Sequence, residues 1–265
     1  MKRGLLFALV MLAPAVAQAQ TRPSSTSQTN TAELYLDRAR RANREEEKRD
    51  LVQKALEQSL AAIKAKADNP KGYLLAGKTY ALLGDALAAD SMFDQAEQLW
   101  PEYSKETETD RIQLWIRAYN AGIVAARDNN QDDALKHFEN ATHIFDKRPG
   151  AHLNIAQIYA RKQDNEKAIN AYRTALQIIA KPENRQVLKP EEVKQWSDLE
   201  ETATFNMAQL LATTGKNEEA LRAYQEFLAR NPSNSMAKLN LAIVLTRLDQ
   251  TADAAKVYNE LLAMV

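Results

Sequence analysis

Cysteine is absent from this 265-residue chain, so no disulfide can brace it and no thiol can carry a lipid anchor. Glycine occurs only 7 times, and never in the glycine-rich run that cradles a phosphate. The 3 histidines are His137, His143 and His152. The first two lie on different faces of a helix, which argues against a metal pair, and no zinc-protease pair occurs. Net charge of one sign is also missing, because 35 basic side chains offset 35 acidic ones. A zero balance gives no general attraction to nucleic acid or anionic lipid. Binding must therefore be local and led by shape. What the chain has in quantity is Ala, Leu, Glu, Lys and Gln, the strong helix formers, and these point to helices throughout.

The N-terminal stretch reads as a targeting segment. Lys2 and Arg3 precede an apolar run from Leu5 to Ala17, and Ala17-Gln18-Ala19 supplies a small-x-small cleavage site. The run is too short to span a bilayer and contains Pro14, so the expected cut is after Ala19, an uncleaved anchor being the alternative. These features predict export to the periplasm or beyond. Residues 20–31, "QTRPSSTSQTNT", lack aromatic and aliphatic side chains and read as a flexible leader.

Internal repetition dominates the remainder. A small residue, an aromatic four positions on and a small or apolar residue three further recur as Ala89/Phe93/Ala96, Ala134/Phe138/Ala141, Ala168/Tyr172/Ala175, Ala220/Tyr224/Phe227 and Ala254/Tyr258/Leu261. A weak first copy lies near Ala55, its register set either by Pro70 or by Ala55 itself. Each copy follows a polar turn and an earlier helical stretch. The leading alanines are separated by 34, 45, 34, 52 and 34 residues. A helix pair repeating at 34 residues is the mark of a helical solenoid. The two longer steps add nearly whole numbers of helical turns, so a helix lengthened by them keeps its apolar face in register. A long helix is accordingly expected to open near Pro190, after the loop "PENRQVLKP".

The copy from Lys71 to Pro101 resembles the tetratricopeptide repeat family. Tyr73, Gly77, Tyr80, Gly84, Ala89, Phe93, Ala96 and Pro101 fall on its large, small, aromatic, turn, small, aromatic, small and terminal-proline positions. Gly77 stands inside a helix, where it costs about 1 kcal/mol relative to alanine. Its equivalents Gly122, Ala156, Ala208 and Ala242 are all small, as expected where two helices of a repeat cross closely. The resemblance implies an all-α, right-handed helical solenoid of about six helix pairs. The organisation read from the sequence is a signal peptide over 1–19, a leader over 20–31 and an array over 32–265. Its copies lie near 32–70, 71–104, 105–149, 150–189, 190–234 and 235–265.

In proteins similar to this one, the first helices of successive repeats line a concave groove that holds peptides or helices. Carried onto this sequence, the groove candidates are Lys78, Tyr119, Asn120, Arg127, Asn154, Gln157 and Arg161, followed by Phe205, Asn206, Gln209, Asn240 and Arg247. Leu74, Ile123, Leu153, Leu239 and Ile243 lie beside them. Asn120, Asn154, Asn206 and Asn240 recur at one equivalent position. They suit either a ladder for a peptide backbone or bonds within the array. The paired cations with which some family members capture chaperone tails are not reproduced in any three consecutive copies. Arg127, Arg161 and Arg247 favour a peptide or helix with some acidic character.

Other motifs read more simply as structure. Asp128, Asn130, Asp132 and Glu139 match part of a calcium loop, but Asp133 stands where its glycine belongs, and Asp132 reads as a helix N-cap. Ser235-Met236-Ala237-Lys238 has a nucleophile's spacing without a partner motif, and reads as a helix start capped by Ser233 or Ser235. "REEEKRD" over residues 44–50 reads as a solvated face or turn. Leu261, Leu262, Met264 and Val265 would be partly exposed after the sixth copy, which predicts self-association through the C-terminal helix. The expected function is a non-enzymatic protein-interaction scaffold of the bacterial envelope, with no cofactor, metal or nucleic acid. Its partners would be other exported or envelope proteins. A second reading is an accessory or regulatory subunit of an envelope polysaccharide or peptidoglycan enzyme complex.

Overall fold

The structure is a computed structural model and describes residues 22–186 and 188–263. The expected signal segment with its cut after Ala19 lies outside the described residues, as do Met264 and Val265. Among the described residues there are helices and turns but no strand. The chain divides into two compact units, the first ending at Thr107 and the second beginning at Glu108.

The first unit holds two helix pairs. Helix α1 (Ser27–Arg41) packs on α2 (Glu45–Ala65), and α3 (Pro70–Leu83) packs on α4 (Ala86–Leu99). The start of α1 corrects the leader reading, because the helix begins inside residues 20–31. Thr26 and Thr29 close a reciprocal capping box: the Thr29 N–H donates to Thr26 Oγ1 at 3.2 Å and the Thr26 N–H to Thr29 Oγ1 at 2.8 Å. Two orphan donors are thereby satisfied without any apolar side chain. The residues ahead of α1 are also held. Ser24 exchanges two hydrogen bonds with the buried Asn69 side chain, its N–H donating at 3.1 Å and its carbonyl accepting at 2.8 Å. The run "REEEKRD" opens α2, and Glu45, Glu46 and Glu47 complement the dipole of its first turn.

The second unit holds four pairs. They are α5 (Ser104–Arg127), counted here from Glu108, with α6 (Gln131–Ile144), then α7 (Gly150–Arg161) with α8 (Asn165–Ala180). After a short helix α9 (Pro182–Arg185) come α10 (Pro190–Thr213) with α11 (Asn217–Arg230) and α12 (Ser235–Arg247) with α13 (Thr251–Leu262). Helix α10 opens at Pro190 as its sequence predicts. Both α5 and α10 are 24 residues long, whereas α7 has 12, so the long steps in the repeat spacing became extra helical turns.

The six repeating alanines are the core of this arrangement. Ala55, Ala89, Ala134, Ala168, Ala220 and Ala254 are all buried, with Phe93, Phe138, Tyr172 and Tyr224 beside them. Gly77 and Gly122 face those rings closely. A Cβ at Gly77 would lie 2.5 Å from Phe93, and one at Gly122 would lie 2.6 Å from Phe138. Both glycines are therefore packing residues, offsetting their helix cost by letting the pair close.

Two expected caps are corrected. Helix α6 is capped by Asn130, whose side chain accepts from the Asp133 N–H at 3.3 Å, and Asp132 instead pairs with Lys162. Helix α12 is capped by Asn234, accepting from the Ala237 N–H at 2.9 Å, rather than by Ser233 or Ser235. In both, the side chain that reaches the third helical N–H decides the cap.

Candidate functional site

The first helices of the second unit stand side by side. Helix α10 contacts both α7 and α12, while Asn154 on α7 reaches Tyr119 on α5. The groove candidates of this unit therefore sit on neighbouring helices, and their environments sort them.

Several are built into the packing. Tyr119 stacks on Trp115 with ring centroids 4.7 Å apart and meets Phe138 at 5.6 Å. Phe205 lies against Phe227 at 5.3 Å and edge-on to Tyr224 at 6.3 Å. The asparagines are engaged inside the array as well. Asn154 donates to the Tyr119 hydroxyl at 3.2 Å and to the Gly150 carbonyl at 2.9 Å, and Asn206 donates to the Tyr172 hydroxyl at 3.3 Å. The buried Asn240 amide lies beside the buried Tyr224 hydroxyl in looser geometry. A rule links these pairs: an amide from one repeat serves the phenol of the repeat before it. Where that ring is Phe138, which has no hydroxyl, Asn154 turns to Tyr119. Burial raises both phenols above their ordinary range, Tyr224 to about 12, with the asparagine opposing the shift.

The cations divide in the same way. In the first unit Lys78 is ion-paired with Glu106, its side chain mostly buried. Arg247 donates to the Ala212 carbonyl at 2.7 Å, satisfying an end of α10. Arg127 and Arg161 are exposed, without an ion pair among the described residues. Asn120 and Gln209 are exposed and Gln157 is half-buried on the same helices. Sequence reasoning missed Val124, an exposed apolar side chain one turn from Asn120 and one from Arg127, although its helical spacing gave the signal. It also missed Met236, which is exposed and continues Leu239 and Ile243 along α12.

The family model for the tetratricopeptide repeat matches residues 119–184 and 205–265, which hold every groove candidate except Lys78. The chain carries tetratricopeptide repeats. Repeats of this family generally act as protein-binding scaffolds. A human relative, protein O-mannosyl-transferase TMTC1, is 32% identical over 113 residues, 43% of this chain. The match spans only 11% of that relative's length. Among solved structures, YrrB, described as a TPR protein with an unusual peptide-binding site, is 14% identical. That comparison covers 78% of this chain and 91% of YrrB, with a TM-score of 0.42. PilF of Pseudomonas aeruginosa is 12% identical over 89% of this chain and 92% of its own, with a TM-score of 0.40. No described helix is long and apolar enough to cross a membrane.

Proposed function

We propose that this repeat array is a non-enzymatic interaction scaffold whose first-helix face binds an acidic peptide or helical segment of a partner protein. The observation that carries the reading is the pair of exposed guanidinium groups of Arg127 and Arg161, which form no ion pair among the described residues, on helices that also carry Asn120, Val124 and Gln157. Guanidinium forks suit carboxylates, and the neighbouring amides and apolar surface suit a backbone and its side chains. Asn154 and Asn206 hold neighbouring helices together at this face, because their amides are engaged by the Tyr119 and Tyr172 hydroxyls. An acidic amphipathic peptide titrated onto the full chain tests the reading. Replacing Arg127 and Arg161 together by Ala should weaken its binding about tenfold, and rising salt should weaken it further. Unchanged affinity in the double variant removes the groove assignment.

The proposed setting is the bacterial envelope, supported by Lys2, Arg3, the apolar run from Leu5 to Ala17 and the cleavage pattern ending at Ala19. Fusing residues 1–19 to a reporter active only after export tests it, and a reporter left inside the cell rejects it. Self-association through α13 belongs to the same proposal. Leu262 on that helix is 75% exposed and Tyr258 37%, whereas the equivalent rings of earlier repeats are buried. Sedimentation at rising concentration should show a growing dimer fraction that Leu262→Lys reduces. A single monomeric species throughout rejects this contact.

A further inference from the structure

The extra turns of α5 and α10 enclose a cavity of about 390 Å³ in the second unit. Its walls come from Glu108 and Ile112 on α5 and from Glu192 and Trp196 on α10, two helices twice as long as the intervening α7. The segment after α6 and the short α9 close it. None of the groove candidates lines it.

Helix α9 is firmly fixed. The Asn184 amide donates to the Ile178 carbonyl at 3.0 Å, the Arg185 Nε to the Ile179 carbonyl at 2.8 Å, and the Arg185 guanidinium pairs with Glu200 at 2.6 Å. These bonds satisfy carbonyls in the last turn of α8 and hold Leu188 and Trp196 in one apolar cluster with Ile178 and Ile179. A rigid lining means that little ordering cost falls on a ligand.

The chemistry of the lining is one-sided. Phe145, Leu188 and Trp196 give it an apolar floor. Its two cations are already engaged: Lys147 Nζ lies 3.0 Å from Glu108 and 5.5 Å above the Phe145 ring. Arg148 lies 3.4 Å from Glu192 and 5.4 Å above the Trp115 ring. The third carboxylate, Glu183, has no cation among the described residues. Asn184 also lines the cavity; one of its two amide N–H groups is held by the Ile178 carbonyl, and its side-chain oxygen is an acceptor. Three carboxylates against two cations leave one negative charge, in a lining that also carries an acceptor oxygen and two aromatic rings. The complement is an aliphatic stem that ends in a cation.

We propose that this cavity receives an arginine or lysine side chain of a partner protein, its stem on Phe145, Leu188 and Trp196 and its charged head on Glu183 and Asn184. The site is separate from the first-helix face and prefers the opposite charge. A partner engaging both would present acidic residues to Arg127 and Arg161 and a basic one here.

Titrating N-acetyl-arginine methylamide onto the nitrogen-15-labelled full chain tests the proposal, with the Trp196 indole N–H as the reporter. The arginine probe should shift that signal saturably. The norleucine analogue should bind several-fold more weakly, and the glutamate analogue more weakly still. Glu183→Gln should lower the arginine probe's affinity about three- to fivefold, as for one partly exposed ion pair, while leaving the norleucine analogue's affinity and the thermal midpoint unchanged. Equal binding of the arginine and norleucine probes, tightest binding of the glutamate probe, or no saturable shift at tens of millimolar overturns the proposal. So does an unaltered affinity in Glu183→Gln. The Arg127→Ala/Arg161→Ala variant separates the two sites: it should bind the arginine probe as the parent does, and a changed affinity there would also count against the cavity.

Discussion

Gly77 and Phe93 meet so closely that a single methyl group added to the glycine would stand 2.5 Å from the ring. Phe93 is fully buried. Two effects of Gly77→Ala therefore oppose each other. Helix propensity favours the alanine by about 1 kcal/mol, while overpacking a filled core costs about 1–3 kcal/mol. Overpacking should prevail, lowering the urea midpoint modestly for alanine and strongly for leucine. Gly77→Ala with Phe93→Leu should recover part of the loss. A higher midpoint for Gly77→Ala alone would show that the two helices do not close on this glycine.

The turn inside each of the five later helix pairs makes a second demand. Gly84 and Gly215 have φ of 84° and 77° there, and the corresponding Asn129, Gln163 and Asp249 have φ of 62°, 61° and 58°. Left-handed backbone costs an ordinary side chain about 1–2 kcal/mol, and asparagine and aspartate bear it better than glutamine. Gln163→Gly should therefore raise stability by up to about 1 kcal/mol, after the greater entropy of glycine in the unfolded chain is subtracted. Chemical denaturation measures this. A loss of stability would mean that Gln163 makes a contact outweighing its strain.

Alkaline pH should unfold the array through its buried tyrosines. Burial raises Tyr224 from 10.0 to about 12, raises Tyr103 likewise to about 12, and moves Tyr172 in the same direction. The unfolded chain loses the Tyr224 and Tyr103 protons from about pH 10, whereas the folded chain keeps those two until about pH 12. The stability linked to them is complete below pH 10 and disappears as pH rises towards 12. Helical circular dichroism and tyrosinate absorbance should change together across that window. Tyr224→Phe should move the helical transition to higher pH, and an unmoved transition would assign it to other groups.

Much of the molecule was legible in the order of its residues. The six buried alanines, the small residues opposite the rings and the long helix from Pro190 follow from periodicity, because a helix that must bury one stripe repeats its small and aromatic residues at fixed intervals. Helix ends were less legible. Asn130 caps α6 in place of Asp132, and Asn234 caps α12 in place of its serines, because neighbouring residues of equal capping ability are separated only by backbone direction. Thr26 and Thr29 begin a helix in a stretch with no apolar pattern at all. The binding face was the least legible part. Lys78 finds Glu106, Asn206 finds Tyr172 and Arg247 finds the Ala212 carbonyl, all at separations of about one repeat, so neither partner reveals the other along the chain.

By itself the sequence determined the repeat, its period and the packing stripe, since these are local consequences of helix geometry and side-chain size. Tertiary structure alone decided which cations and amides are engaged and which face outwards, for hydrogen bonds and ion pairs depend on distances across helices. It also decided that the extra turns of α5 and α10 enclose a cavity. Their length was written in the spacing of the alanines, but a wall becomes a cavity only when another wall stands opposite it.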